Sequence, residues 1–405
     1  MSTTPQAATR RATITDVARE AGTGKTSISR YLNGEMSVLS PELRARIEAA
    51  IERLDYQPNQ MARGLKRGRN RLIGMLLADL TNPYSVEVLQ GVEAACHALG
   101  LMPLICHAAN EVEMERRYLQ LLTTYRVEGV IVNALGVREE TLRPVGGGGI
   151  PAVLVDRSVD GLVADMVGLD NRAAAELGTR HLLENGFDDI WFVVQPFEQI
   201  SSRQLREAAF REVMSGVGGE SGISGKGEGG TSGTTGVKGV EGTKGTKGTS
   251  GSNSGARGHT LVLNLGEPAA VERALAELDR AIDASGGLGG AAASVTDSAA
   301  SSATNSTLGK ARRIALFAAN APVALCLALH LKARYGADWQ ARVALLSIDD
   351  PEWAELTGVT TIRQPTYEIG YRAVEFLHER IEGIQTTARD CLLPGELIVR
   401  ASTLR

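Results

Sequence analysis

The sequence predicts an α/β protein in which a small helical head at the N-terminus precedes a large body built on parallel sheets. Short helical patterns fill the first 58 residues, and farther along the chain apolar runs alternate with amphipathic helical stretches. Charge divides the chain in the same way, because residues 1–71 hold 13 Lys and Arg against 7 Asp and Glu, whereas the rest hold 30 against 40. A chain of 405 residues with 43% hydrophobic content can bury a large core and is long enough for two or three domains.

The predicted head begins with TITDVAREAGTGKTSISRYLNG, residues 13–34, in which a helical apolar pattern stops at residues 22–24 and then resumes. Neither half is long enough to be stable alone, so both must pack on a third element. Ser40 and Pro41 mark the start of that element, since a hydroxyl caps a helix and proline suits its first position. Apolar residues then recur at helical spacing until Pro58 stops the pattern.

Three short helices with hydrogen-bond donors on the second predict a helix-turn-helix module, whose second helix enters the major groove of DNA. Arg30 is suited to a base or a phosphate, and the basic charge of the head favours a polyanionic partner. The alternative is a small three-helix bundle that binds protein or has no binding partner. The head residues predicted to contact DNA are Thr15, Lys25, Thr26, Ser27, Ser29, Arg30 and Asn33.

The body contains apolar runs separated by amphipathic helical stretches. Continuous apolar strands that alternate with helices are typical of parallel sheets covered on both faces. Ligands bind in such folds where loops leave the carboxyl ends of the strands. The apolar runs are RLIGMLLADL, LMPLICH, VEGVIVNAL, PAVLVDR, DIWFVV, HTLVLNL, RRIALFAAN and VALLSID.

Polar residues in the loops after these runs form the candidate pocket. Arginine offers a two-pronged donor to a carboxylate, whereas Asp, Asn, Gln and Ser suit neighbouring hydroxyls. Trp353 could stack on the apolar face of a sugar. The combination favours a small sugar or sugar acid, although each residue alone could instead cap a loop or form a surface ion pair. The predicted effector-binding residues are Tyr84, Arg157, Ser202, Arg203, Asn320, Asp349, Trp353 and Gln364.

Two segments have compositions that compact domains lack. Residues 216–257 contain 16 glycines, which recur at every third position from Gly227 to Gly251. The repeat has no proline, on which a collagen triple helix depends, and a trimer would fit a two-fold DNA site poorly. Residues 285–309 are small, polar and nearly uncharged. Both segments are predicted to be disordered insertions between elements of the fold.

An enzyme is the main alternative, because sugar-binding α/β folds include kinases and hydrolases and Asp349-Asp350 is an acidic pair. The chain has no GxxxxGK[ST] or GxSxG motif and no histidine pair at metal-ligand spacing, so no catalytic residue, cofactor or metal is predicted. A periplasmic solute receptor would need a signal peptide and would not need residues 13–66. The N-terminus has no apolar signal core and no run is long enough to span a membrane, so a cytoplasmic location is expected.

Several segments are similar to the lac-repressor-like (LacI/GalR) family of bacterial transcription regulators, and the similarity fails only in the two low-complexity segments. It is carried by TITDVAREAG, SISRYLNG, SPELRARIEAAIERLDYQPNQMARGL, LIGMLLADLTNPYSVEVLQGVE and TTIRQPTYEIGYRAVEFLHERI. The resemblance implies that residues 59–66 form a hinge helix on DNA, with contacts from Asn59, Arg63 and Leu65, the last as a wedge in a central minor-groove step. The chain departs from the family at residues 23–24, where a small apolar residue and a Ser or Thr cap are usual.

The resemblance also implies a periplasmic-binding-protein fold of two subdomains joined by three crossovers, with the effector in the cleft between them. Closure about that hinge would couple the ligand to the DNA-binding head. The predicted domains are a flexible tail (1–11), the helix-turn-helix domain (12–58), the hinge helix and linker (59–70), and the effector-binding and dimerisation domain (71–405). Within the last, the N-subdomain is about 71–168 with 365–392, and the C-subdomain is about 169–364 with 393–405.

These inferences predict a ligand-responsive, DNA-binding transcriptional regulator, a repressor in preference to an activator, that acts as a homodimer on double-stranded operator DNA. A two-fold protein suits a pseudo-palindromic site, since each head reads one half-site. The SIDDPEWA loop and Ala321 make the chain most similar to the gluconate and 2-ketogluconate regulators of the family. Family members often carry Asp at the position of Ala321, and its absence suits an acidic effector.

Leu65→Ala should weaken binding to the operator more than binding to non-specific DNA, because only a kinked central step accepts the side chain. Titration of both DNAs in a mobility-shift assay measures the difference. An equal loss on both would make Leu65 a packing residue instead.

Overall fold

The computed structural model describes residues 11–58, 69–133, 142, 149–159, 161–198, 200–218, 255–285 and 312–404. They form two compact units that divide between Arg71 and Leu72, a helical head and an α/β body. Within these ranges, no helix combines the length and the apolar character that crossing a lipid bilayer requires.

The head is a three-helix domain with one short 3-10 turn. Its helices are α1 (Ile14–Glu20), α2 (Lys25–Leu32) and α3 (Pro41–Arg53), and the 3-10 turn is Met36–Val38. Each helix contributes one fully buried residue to the core, namely Val17, Ile28 and Ile47. The predicted start of α3 is confirmed, because Ser40 Oγ accepts a hydrogen bond of 3.2 Å from the backbone N–H of Leu43.

A left-handed turn separates α1 from α2. Gly22 has a φ of +60°, which glycine adopts without strain, and its N–H donates to the Arg19 carbonyl at 3.2 Å. The Thr23 N–H donates to the Ala18 carbonyl at 2.9 Å, so the last carbonyls of α1 are satisfied. α2 begins after Gly24, which makes no side-chain hydrogen bond to its first turn. Packing of the helix, and not a side-chain cap, therefore fixes where α2 begins.

The first sheet of the body is entirely parallel. Its strands are β1 (Leu72–Leu77), β2 (Met102–His107), β3 (Gly129–Asn133), β4 (Ala152–Val155), β5 (Asp165–Leu169) and β11 (Asp390–Leu393). They lie in the order β2-β1-β3-β4-β5-β11. The helices of this half are α4 (Pro83–Leu99), α5 (Val112–Thr124) and α11 (Thr366–Ile381).

The second sheet is parallel except for one edge. Its strands are β6 (Asp189–Val194), β7 (Arg257–Val262), β8 (Ile314–Ala318), β9 (Ala344–Ile348), β10 (Thr360–Arg363) and β12 (Glu396–Ile398). They lie in the order β7-β6-β8-β9-β10-β12, with β12 antiparallel to β10. The helices are α6 (Asn171–Glu184), α7 (Ser201–Gly218), α8 (Pro268–Ser285), α9 (Ala321–Tyr335) and α10 (Glu352–Thr357), with 3-10 turns at Trp339–Ala341 and Ala401–Thr403.

The chain passes between the two sheets after β5, after β10 and after β11. The predicted two-subdomain body with parallel sheets is confirmed, and burial on both faces explains why its central strands are continuously apolar, whereas the edge strands β2 and β7 are partly exposed. The first predicted insertion, 216–257, is too long at both ends, because α7 extends to Gly218 and β7 begins at Arg257. The remainder of that segment up to residue 254, and residues 286–311, lie outside the described residues.

Helix α11, which returns the chain to the first sheet, crosses α4 at close range. α11 packs against α4, and the two backbones approach each other at two glycines. A Cβ atom at Gly91 would lie 2.0 Å from the Tyr367 carbonyl oxygen, and one at Gly370 would lie 2.0 Å from the Val88 carbonyl oxygen. Because neither position has room for a side chain, glycine sets the distance between the helices.

Gly91→Ala should lower the free energy of unfolding by about 1 to 3 kcal/mol, because the new methyl group meets backbone atoms that cannot move aside. Gly216→Ala is the matched control, since Gly216 also lies in a helix and nothing lies within 4 Å of a Cβ built there. The control should be neutral or more stable by about 1 kcal/mol. Urea denaturation of both variants measures the difference, and equal stabilities would contradict the close crossing.

Candidate functional site

The second helix of the head presents polar side chains around one fully buried apolar residue, Ile28. That burial fixes which side of α2 packs on the rest of the head. The predicted DNA-contacting residues occupy five other positions of the helix, its C-terminal cap and one exposed position on α1, while Tyr31 and Leu32 pack against the head core. Thr15, Lys25, Thr26 and Arg30 are exposed, and Ser27, Ser29 and Asn33 are half-buried.

Arg30 makes one weak ion pair within the head. Its Nε lies 4.0 Å from Glu35 Oε2, and about half of each side chain is exposed, at 50% and 51%. Asn33 donates a hydrogen bond of 3.3 Å to Oε1 of the same carboxylate. An exposed pair at this distance contributes little to stability, so Arg30 can exchange it for a base or a phosphate. The predicted contacts Asn59, Arg63 and Leu65 lie outside the described residues.

The candidate effector site lies in the body, beyond the carboxyl ends of the strands. Asp349 follows β9 directly, and its φ of +78° turns the backbone sharply as the strand ends. One carboxylate oxygen accepts from the Ala321 N–H at 2.8 Å, and the other accepts from Gln364 Nε2 at 2.5 Å. Burial raises the pKa of Asp349, and the charge of Arg206 opposes that shift.

Asp350 has a different set of partners from its neighbour. It accepts from Thr361 Oγ1 and Arg363 Nη2, both at 2.7 Å, and Arg400 Nη1 lies 2.8 Å away. Burial alone would raise the pKa of Asp350, but the bonds from Arg400, Thr361 and Arg363 lower it. The two adjacent carboxylates therefore do not share an acid/base role. Among the described residues, moreover, no three His, Cys, Asp or Glu side chains are grouped to hold a metal ion.

A second carboxylate, Asp156, follows β4, and its side chain, which is 9% exposed, lies near cations from both halves of the body. Arg157 Nε lies 3.4 Å from one oxygen, and Arg206 Nη2 lies 3.8 Å from the other. Ser202 Oγ donates to Asp156 at 3.2 Å. The predicted residues Arg157 and Ser202 are thus brought together, and the carboxylate that joins them was not predicted.

Arg206 is a further buried residue that the sequence pattern did not reveal. It is 5% exposed, and it donates to Asn171 Oδ1 and to the Ala319 carbonyl, both at 2.6 Å. Its spacing from Arg203 would have indicated it, because residues three apart on a helix share one face. Ser202 and Arg203 were predicted to lie on a loop, but they belong to the first turn of α7, which explains why they share a face with Arg206.

Neutral acceptors hold Arg203. Its Nη1 donates to the Pro196 carbonyl at 2.7 Å, and its Nη2 donates to Gln195 Oε1 at 2.8 Å. Asn320 Nδ2 donates to the same Gln195 oxygen at 2.9 Å, so the predicted Asn320 also joins the site. Burial lowers the pKa of Arg203 to about 10, and the positive charges of Arg157 and Arg206 contribute to that shift.

A cavity of about 120 Å³ lies between the start of α4 and the ends of β9 and β10, and Tyr84, Asp349 and Gln364 line it. Within the part of the chain that the structure describes, the Tyr84 hydroxyl and Gln364 Oε1 are buried without a hydrogen-bond partner. Burial raises the pKa of Tyr84, and the charge of Asp156 raises it further. Ligand hydroxyls would suit these atoms, because a phenol can donate and an amide oxygen accepts.

Of the predicted effector-binding residues, Tyr84, Asp349 and Gln364 line the cavity, whereas Arg157, Ser202, Arg203, Asn320 and Trp353 do not. Among the described residues, Trp353 also lacks polar contacts with the other site residues, because it is half-buried and packs against the apolar cluster between the second sheet and helices α8 and α9. This packing accounts for its position without a ligand. The predicted stacking of Trp353 on a sugar therefore receives no support from its contacts.

A helical head with a donor-rich second helix and a body with a polar site between two sheets define a class, the DNA-binding regulators that respond to a small ligand. Family models agree with this assignment along most of the chain. Residues 13–59 match the bacterial regulatory proteins of the lacI family, residues 70–221 match the periplasmic binding proteins and sugar binding domain of the LacI family, and residues 258–403 match a periplasmic binding protein-like domain.

The chain is similar to two regulators along nearly its whole length. The HTH-type transcriptional regulator PtxS of Pseudomonas aeruginosa is 37% identical, over 97% of this chain and 96% of the relative. PtxS of Pseudomonas plecoglossicida is 36% identical, over 100% and 99%. The fold is similar to the lac repressor dimer bound to operator and the anti-inducer ONPF, with a TM-score of 0.70 and 18% identity over 98% and 100% of the two chains. The chain belongs to the LacI family, and it is a DNA-binding transcriptional regulator and not an enzyme.

Arg30→Ala should weaken operator binding by about 1 to 3 kcal/mol if the guanidinium contacts a base, with little change in the stability of the head. Arg53→Ala is the matched control, because Arg53 lies on α3 and pairs with Glu20 at 2.5 Å. Fluorescence anisotropy with operator and scrambled DNA measures both. An equal loss for the two variants would show that only net charge matters.

Proposed function

We propose that the protein is a repressor whose operator affinity is set by a small sugar acid of the gluconate or 2-ketogluconate type. The observation that supports an acid is a surplus of positive charge in the candidate effector site. Buried carboxylates in this site are outnumbered by guanidinium groups. Around Asp156 and Asp349, which are the anions, the cations are Arg157, Arg203 and Arg206. Glu87 also lines the cavity, but it is half-buried and accepts a hydrogen bond of 2.5 Å from Thr366 Oγ1.

An unbalanced charge in a buried site is costly unless an anion compensates it. Asp350 does not supply that anion, because Arg363 and Arg400 already pair with it. Arg203 donates only to neutral oxygens among the described residues, and its planar fork matches the geometry of a carboxylate. An effector with one carboxylate would neutralise the surplus.

The remainder of the site suits hydroxyl groups. Asp349 and the unpaired Gln364 oxygen are acceptors, and the unpaired Tyr84 hydroxyl can donate or accept. Ala321 contributes only its backbone N–H, which Asp349 already uses. A sugar acid carries a carboxylate for one part of the site and hydroxyls for the other, whereas a neutral sugar would leave the surplus charge in place.

A homodimer on a pseudo-palindromic operator, acting in the cytoplasm where that DNA lies, completes the proposal. Each chain has one helix-turn-helix head, so a two-fold pair of chains reads two half-sites. The lac repressor of similar fold binds its operator as a dimer, which supports this arrangement. The effector changes operator affinity only if it binds one conformation of the body more tightly, and such coupling is typically about 1 to 3 kcal/mol.

Arg203→Ala should weaken binding of gluconate or 2-ketogluconate by about 2 to 5 kcal/mol, because a buried charge pair loses one partner. Binding of neutral hexoses should change far less. Operator affinity without effector should be unaffected, since Arg203 belongs to the body and not to the head. Isothermal titration calorimetry measures the ligands, and a mobility-shift assay measures the operator.

Arg211→Ala is the matched control, because it removes a cation from the same helix at a side chain that is 67% exposed and paired with Glu207. It should bind the acids as the wild type does. A wild type that bound gluconate-like acids no better than neutral hexoses would refute the sugar-acid assignment. The assignment would also fail if Arg203→Ala retained wild-type affinity for the acids.

A further inference from the structure

Gln195 connects two parts of the candidate effector site through a single atom. It is the first residue after β6, and its Oε1 accepts from Arg203 Nη2 at 2.8 Å and from Asn320 Nδ2 at 2.9 Å. Arg203 lies in the first turn of α7, and Asn320 caps α9 by accepting from the Val323 N–H at 3.1 Å. One amide oxygen thus connects the first turn of α7 with the residue that caps α9.

The acceptors of Arg203 differ in charge from those of the neighbouring arginines. Arg157 and Arg206 both lie within 4 Å of the Asp156 carboxylate, at 3.4 and 3.8 Å. Arg203 donates to the Pro196 carbonyl and to the Gln195 amide, and neither carries a formal charge. A neutral acceptor orients a guanidinium without cancelling its charge.

We propose that Gln195 is a positioning residue that gives the site its selectivity for acids over neutral sugars. It holds Arg203 in place while leaving the guanidinium charge available to the effector carboxylate. The inference rests on the proposed sugar-acid function, and it assigns the selectivity to a side chain that need not touch the ligand.

Replacing the Gln195 amide by a carboxylate tests whether the orientation of Arg203 or its free charge matters for acid binding. Gln195→Glu keeps an acceptor for both Arg203 and Asn320, but it places a negative charge beside the guanidinium. That internal carboxylate would compete with the carboxylate of the ligand and repel it. Gln195→Met has a similar size and removes the acceptor, so it releases Arg203 without neutralising it.

The experiment compares pairs of ligands in which one member carries a carboxylate and the other carries a hydroxymethyl group at the same carbon. Gluconate is paired with sorbitol, and 2-ketogluconate is paired with fructose. Calorimetry on the full chain gives the ratio of the two dissociation constants within each pair, for the wild type, Gln195→Glu and Gln195→Met. Thermal melting of each protein reports whether the fold is intact.

Gln195→Glu should reduce the acid selectivity by at least about 10-fold, through lost acid affinity, while neutral-sugar affinity stays within about 3-fold of the wild type. Gln195→Met should also lose selectivity, but by less, and it supplies the test if the first variant does not fold. Unchanged selectivity in both variants would overturn the inference while leaving the sugar-acid function intact. Equal losses of acid and neutral-sugar affinity would also overturn it, because they indicate a purely structural role. A wild type without acid selectivity in either pair would instead refute the proposed function, and the inference with it.

Discussion

The effector site depends on one geometric constraint, that parallel strands all end at the same edge of a sheet. Asp156, Gln195, Asp349 and Gln364 are each the first residue beyond a strand, after β4, β6, β9 and β10 respectively. The three crossings of the chain then bring the two edges toward a shared space. The Asp156–Arg206 ion pair joins them, because one partner follows a strand of the first sheet and the other lies on a helix of the second. Residues far apart in sequence therefore meet because each follows a strand that ends at one of these two edges.

Burial decides how much each polar contact in the protein matters. The Arg30–Glu35 pair of the head is half-exposed, so water screens it and either partner can leave. Asp349 and Asp350 are neighbours, yet burial raises the pKa of the first, while three donors lower the pKa of the second against the effect of its burial. The head is therefore suited to exchange its contacts for those of DNA, whereas the body keeps its charges fixed and selects a ligand that fits them.

Local patterns in the sequence predicted most of the fold and part of the site. Continuous apolar runs indicated the strands, and the Ser40 cap gave the start of α3, because both signals depend on near neighbours. The loops that follow the strands indicated where a pocket lies, but they did not show which side chains pair. The roles of Gln195 and Arg206 were missed because each has partners that are distant in sequence, Asn320 for Gln195 and Asn171 and Ala319 for Arg206, although the helical spacing of Arg206 from Arg203 was a usable signal. Trp353 was assigned to the ligand because an aromatic residue near a loop resembles a stacking surface, and only the packing shows that it lies against the core.

The strand order has a consequence for synthesis on the ribosome. β11 completes the first sheet beside β5, and the Arg389 N–H donates to Asp165 across 224 residues of chain. β12 likewise completes the second sheet beside β10. Neither sheet can acquire its last strand until residues 390–398 have been synthesised, whereas the helices of the head lie within residues 14–53 and precede the body. A nascent chain therefore carries the three head helices before it has a complete ligand sensor, and pairing across such long separations makes the body the slower part to fold.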